Sequence, residues 1–299
     1  MVLPLYDDNS DRTTTPYVTY ALLAINVLVF VGPQGFGTDD KFTMTWSTVP
    51  YEIVTGEDRS TPPRRVTQPL TGEIVTVPGL LPTPISVYLT LIMSMFMHGG
   101  IAHLAGNMLF LWIFGDNIED ILGHARFIAF YFICGVLASL AHVFSVVLLA
   151  GLDSEEALIP SLGASGAISG VLGGYLLLFP TRQVLVLLFR FLTWVPAYVA
   201  IGIWFAFQLI EGFGLLGGSH ESVAYAAHIG GFLAGVALVI PFTFRLLTRP
   251  SLSAGEGLVS PLQTWIFDLD TLSSLPRRCR AGCVLDTEGP TRAFIARHR

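Results

Sequence analysis

Three short stretches of the chain combine residue types that could carry nucleophilic chemistry. In the first, His98-Gly99-Gly100-Ile101-Ala102-His103-Leu104-Ala105-Gly106-Asn107, the pair His103 and Asn107 is spaced i, i+4. That spacing puts both side chains on one helix face. Each can donate a hydrogen bond while neutral, which suits a developing oxyanion in an apolar layer. The plainer alternative is a pair of hydrogen bonds joining helices. The second stretch is Gly163-Ala164-Ser165-Gly166-Ala167-Ile168-Ser169-Gly170. A serine in a membrane helix commonly bonds its own backbone or a neighbour. Here Gly163 permits a tight entry to the helix, and the exposed amides of a helix N-terminus favour an anion.

Gly166, Gly170 and Gly174 continue that helix as a small-residue stripe of period four, so a second helix can approach closely. The third stretch, Ala227-His228-Ile229-Gly230-Gly231-Phe232-Leu233-Ala234-Gly235, supplies a matching stripe. Gly231 and Gly235 follow His228 by three and seven residues, which puts the histidine on the close-packing face. A serine opposite a histidine across such a contact is a nucleophile with its base. No acid stands beside His228 in sequence. Glu221 is seven residues upstream, and Glu119 and Glu211 sit at the ends of apolar runs. A Ser-His dyad is therefore favoured over a triad, and Glu119 reads as a structural tether at the end of its run.

The elements that must position these residues are membrane spans. The chain has 299 residues, of which 52% are hydrophobic and only 13% charged, with a mean hydropathy of +0.63. So little charge cannot cover a soluble surface. A net charge of −6 leaves no basic face for nucleic acid. Cys134, Cys279 and Cys283 are too few for a disulfide framework, and Cys279 and Cys283 lack the second pair of a zinc site. Apolar runs predict six spans, at 17–32, 101–114, 127–150, 163–179, 194–210 and 223–244. Residues 85–97 predict a short helix at the membrane surface, and 185–192 is apolar but too short to assign. Outside the spans lie a polar N-terminal segment (1–15), a long first loop (34–84) and a basic, flexible tail (245–299). Lys and Arg near span ends favour both termini on the cytoplasmic side, and the plasma membrane is the expected location. In this topology the second, fourth and sixth spans start from one side. His103, Asn107, Ser165 and His228 then all lie at most about 10 Å below the same surface.

Together, His98-x4-His103-x3-Asn107, Gly163-Ala164-Ser165-Gly166 and Ala227-His228-x2-Gly231-x3-Gly235 resemble the rhomboid family of intramembrane serine proteases, in that family's order. The stretch Asn107-Met-Leu-Phe-Leu-Trp-Ile-Phe-Gly-Asp-Asn-Ile-Glu-Asp120 adds to the likeness, which covers roughly residues 16–244. The resemblance implies an all-α, six-span bundle with Ser165 as nucleophile and His228 as general base. It assigns His103, Asn107 and the Ser165 amide to the oxyanion hole, and His98 to a supporting place at the mouth. It also implies single-span membrane-protein substrates in a lipid bilayer and no cofactor or metal. Two positions depart from the pattern. Ser169 stands where some members have a tyrosine stacked on the histidine, and Trp46 precedes Ser47 rather than an arginine. Two rivals are a catalytically inactive, client-binding relative and a metal site built from His98, His103, His142 and His228. The second lacks a His-Glu-x-x-His motif.

Overall fold

Long apolar runs close their backbone hydrogen bonds within themselves, so in a bilayer they become helices. A computed structural model describes residues 2–67, 74–188, 190–212 and 222–247. Residues 213–221, which include Glu221, and those from 248 onward, expected as most of the tail and holding Cys279 and Cys283, lie outside the described residues. Strand β1 (Val2–Asp7) leads to α1 (Tyr17–Val31). The first loop then carries α2 (Asp40–Trp46), α3 (Pro50–Thr55) and a hairpin of β2 (Arg64–Thr67) and β3 (Ile74–Val77). Short helix α4 (Thr90–Met93), flanked by 3-10 turns, meets α5 (Ile101–Leu122) at a bend of 82°. Helices α6 (His124–Leu149) and α7 (Ser165–Leu178) follow. Next come strands β4 (Gln183–Leu188) and β5 (Phe191–Pro196), and then helices α8 (Ala197–Gly212) and α9 (Ser222–Leu247).

Among the described residues, α6 and the Tyr225–Thr243 part of α9 are each long and apolar enough to cross a membrane, and the bent α4–α5 pair adds a third candidate. Helices α1, α7 and α8 are apolar but shorter. The expectation of an all-α chain is corrected. The unassigned apolar segment 185–192 forms most of a hairpin, and β1 joins it in a three-stranded antiparallel sheet of order β1-β4-β5. The span expected from 194 begins at Ala197, because Trp194–Pro196 belong to β5. Val184, Val186 and Trp194 show why: a β-branched, aromatic run too short for a span pairs as a hairpin instead. The N-terminal segment also contributes apolar structure, since Val2–Asp7 pairs with β4 and Pro4 is buried.

Helix α9 packs against α7 and α6 at backbone distance. A Cβ added to Gly231 would fall 2.1 Å from the Gly166 carbonyl oxygen, and one on Gly235 would fall 1.9 Å from that of Gly170. On the far side of α7, a Cβ on Gly166 would meet Ala138 Cβ at 2.6 Å, and one on Gly170 would meet Cys134 Cβ at 2.4 Å. The glycine stripes thus let three helices share one interface too narrow for any other residue.

The opposite end of the bundle is tied by polar bonds. Glu119 on α5 accepts from the Val18 and Thr19 amides at 2.9 and 2.7 Å and from Thr19 Oγ1 at 2.7 Å, satisfying first-turn amides of α1. His124 Nδ1 sits 2.6 Å from the same carboxylate. Asp7, buried at the end of β1, accepts from Tyr175 Oη at 2.7 Å and from Asn117 Nδ2 at 2.8 Å. Burial pushes its carboxyl up to about 7, against the lowering influence of the Tyr175 hydroxyl; Asp116 raises it further and Arg182 lowers it.

Two predictions follow from these contacts. Gly235→Ala should destabilise the bundle by about 1–3 kcal/mol or more through overpacking. Gly202→Ala, where an added Cβ meets nothing within 4 Å, should be neutral; thermal unfolding in detergent compares the two. The folded state keeps a proton on Asp7 that the unfolded chain releases near its ordinary value of 3.8. This group's contribution to stability therefore falls as pH rises from there to about 7. Asp7→Asn should flatten the decline of the melting temperature between about pH 5 and about pH 8; an unchanged slope would rule Asp7 out as its cause.

Candidate active site

Ser165 is the first residue of α7, and the chain reaches it through Gly163, whose φ of +123° is a left-handed conformation that disfavours a side chain. The Gly163 amide is fixed by the Ser94 carbonyl at 2.9 Å. From α9, His228 Nε2 lies 2.8 Å from Ser165 Oγ. The glycine contact between α7 and α9 permits this approach, since a longer side chain at Gly231 would push the helices apart.

The other ring nitrogen, His228 Nδ1, sits 2.6 Å from Gln208 Oε1 on α8. An amide oxygen only accepts, so this bond puts the proton on Nδ1 and leaves the Nε2 lone pair facing the serine hydroxyl. Ser169 is no part of this support, because its hydroxyl donates to the Ser165 carbonyl of its own helix at 2.6 Å. Trp204, one turn before Gln208, lies 6.2 Å from the His228 ring, and Tyr225 approaches it edge-on at 6.3 Å. Helix α8 therefore supplies contacts to the ring where some family members use an aromatic residue at position 169. Gln208 belongs to none of the sequence motifs; its signal is a polar side chain within the apolar run of α8.

His103 and Asn107 come from α5 and line the same cavity, of about 250 Å³, with Ser165, Ser169, Trp204 and His228. Asn107 is buried, and its Nδ2 has no partner. His103 is exposed at the mouth, and its Nδ1 accepts from the Gly99 amide at 3.2 Å. In the neutral ring that leaves Nε2–H as a donor. A Cβ on Gly163 would meet His103 Cε1 and Nε2 at 3.0 Å, so the missing side chain is also what admits this ring beside Ser165. His98 is fully buried and its ring stands 5.1 Å from His103, edge to face. Its backbone is held by Gln34, which accepts from the His98 amide at 2.9 Å and donates to the carbonyl at 3.2 Å.

Near the Trp46-Ser47 departure, Thr48 anchors the first loop. Its backbone pairs with Ser161 at 3.0 and 2.8 Å, and its hydroxyl lies 2.9 Å from both Ser94 Oγ and the Thr90 carbonyl. Among the described residues, no group of three or more His, Cys, Asp or Glu side chains is placed to hold a metal.

A helical membrane protein with a serine-histidine contact at the end of a glycine-lined helix pair is the class defined by this fold and cavity. The family model described as Rhomboid domain matches residues 86–244, and the chain belongs to the rhomboid family. It is 36% identical over 151 residues to Rhomboid protein 1, mitochondrial, of Saccharomyces cerevisiae, covering 50% of this chain and 40% of that protein. It is 35% identical over 164 residues to Rhomboid protease GluP of Bacillus subtilis, covering 53% and 28%. To human Presenilin-associated rhomboid-like protein, mitochondrial, it is 31% identical over 146 residues, covering 49% and 36%. The chain thus spans less than half the length of these relatives. Two of them are named as mitochondrial, so they give no support to the plasma membrane expected from the sequence.

Gln208→Leu keeps the bulk of the side chain and removes the acceptor. It should slow labelling of Ser165 by a fluorophosphonate about tenfold or more, while Gln208→Glu, which retains an acceptor, keeps most of the rate. Equal rates in wild type and Gln208→Leu would show that the ring is held without it.

Proposed function

We propose that this chain is an intramembrane serine protease that hydrolyses peptide bonds in or next to membrane-spanning segments of single-span proteins. The observation that carries this reading is the 2.8 Å contact between Ser165 Oγ and His228 Nε2, in a cavity that also holds the unpaired amide of Asn107. Ser165 attacks the scissile carbonyl carbon while His228 Nε2 takes the hydroxyl proton. The carbonyl oxygen, now negative, accepts from Asn107 Nδ2–H, His103 Nε2–H and the Ser165 amide. The imidazolium returns its proton to the leaving amine as the C–N bond breaks. Water then adds to the acyl-serine with His228 again as base, releasing the acid and restoring the hydroxyl. Gln208 keeps the Nδ1 proton in place through both halves.

Membrane geometry favours the same reading. A six-span arrangement uses α1, α5, α6, α7, α8 and α9. Helix α7, with 14 residues, is only about 21 Å long against a hydrocarbon layer of about 30 Å. With its far end at one face, its first residue lies roughly 9 Å below the other. A cavity open at that depth brings water to a bond that lipid would otherwise keep dry. The Bacillus subtilis relative is named a rhomboid protease, which agrees with this chemistry.

The test uses purified protein in liposomes with a model single-span substrate. Ser165→Ala and His228→Ala should each lower cleavage by roughly three orders of magnitude or more, with and without EDTA. Cleavage that survives Ser165→Ala, or that EDTA abolishes, would sink the assignment. Absence of cleavage by wild type, together with failure of Ser165 to react with a fluorophosphonate, would favour the inactive, client-binding relative.

A further inference from the structure

The β1-β4-β5 sheet has two apolar faces. Its inner face places Pro4, Val184 and Val186 against the helices, all three buried. Pairing register fixes what the outer face carries. Leu3 pairs with Leu187 and Leu187 with Leu192, while beyond an irregularity between Pro4 and Tyr6, Tyr6 pairs with Leu185 and Leu185 with Trp194. Side chains alternate between faces along a strand, so these six residues form two cross-strand rows on the side away from the core. An antiparallel sheet with one face in water alternates apolar and polar residues. Among the described residues, the polar groups this outer face carries are the Tyr6 hydroxyl, the Trp194 indole N–H and, at its edge where β4 begins and pairs with Pro196, the exposed Gln183. Leu192 is 63% exposed, and Tyr6 and Trp194 are each about half exposed with their rings edge to face at 6.1 Å.

Position in the chain says what covers this face. Strand β5 ends at Pro196 and α8 begins at Ala197 with no residue between, so the sheet starts where a membrane helix ends. Exposed Tyr198 on the first turn of α8 extends the patch onto the surface of that helix. Exposed Arg190 and Phe191 stand at the hairpin tip. Tyrosine and tryptophan over aliphatic residues, with arginine at the edge, is the composition that settles at the headgroup level of a bilayer. The sheet also lies at the far end of the bundle from the cavity, since it follows the last turn of α7 while Ser165 opens the first.

We infer that the outer face of the β1-β4-β5 sheet is a lipid-binding surface, seated in the boundary between headgroups and acyl chains of the leaflet opposite the cavity mouth. The hairpin and N-terminal strand act together as an in-plane membrane element that fixes the inner ends of α7 and α8. This inference does not depend on catalysis, and its test reads no activity.

Trp194 is the probe. The full chain and its Trp194→Phe variant are placed in phosphatidylcholine–phosphatidylglycerol vesicles, and their difference in emission isolates Trp194. Lipids brominated high on the acyl chain should quench that difference roughly twofold, lipids brominated near the chain end should quench it less, and aqueous iodide should leave it unchanged. Quenching by iodide with none by brominated lipid would overturn the inference and place the face in water. Protection from both quenchers would overturn it as well. Loss of that protection when Leu192→Glu turns an oligomer into monomers would assign the face to a second copy; loss on truncation after Leu247 would assign it to the tail.

Discussion

Everything at the candidate site depends on two helices touching through their backbones. Gly231 and Gly235 of α9 lie against the carbonyls of Gly166 and Gly170 of α7, at distances where any β-carbon would clash. A serine side chain is short, and even with a histidine opposite it the pair can meet only across such a contact. Packing of this kind gains dispersion energy along the whole seam without a hydrophobic driving force, which is absent between helices in lipid. The seam therefore does two things at once: it holds α7 to α9, and it sets the reach from Oγ to Nε2.

The remaining groups come to this seam from separate elements, each under its own restraint. Gly163 lets the chain turn into α7 while leaving space for the His103 ring. Ser94, just before the bend into α5, fixes the Gly163 amide and meets Thr48 of the first loop, so the loop, the bend and the entry to Ser165 share one set of hydrogen bonds. Helix α8 contributes Trp204 and Gln208 to the histidine. At the other end, Glu119, Asp7 and Arg182 join α1, α5, α7 and the sheet through bonds that lipid cannot replace. Arg182 bonds the Asp8 carbonyl and Asn117 at 3.1 and 2.5 Å and pairs with Asp11. The arrangement leaves a cavity that holds His103, Asn107, Ser165 and His228 at one end of the bundle and a closed polar lock at the other.

Much of this was legible as pattern. The i, i+4 spacing of His103 and Asn107, the glycine stripes, the position of Glu119 and the apolar runs required only the helical period and the cost of polar groups in lipid. What pattern left open was partnership. Segment 185–192 could not be assigned because a short apolar run reads alike as helix or strand, and its pairing with β1, more than 170 residues earlier, is a long-range event. Gln208 had no sequence neighbour to mark it, since its partner is His228 on the next helix. Family likeness points to an aromatic ring at position 169, yet Ser169 bonds its own helix and the rings beside His228 are Trp204 of α8 and Tyr225 of α9.

The sequence by itself determined which residue types are available for chemistry and which helices could approach, because residue chemistry, period and side-chain volume are local properties. Only the tertiary structure decided that Gln208 orients the histidine, that Thr48 anchors the loop and that the N-terminal strand completes a sheet. Each is a contact between distant segments, and distance along a chain carries no information about distance in space until the helices have packed.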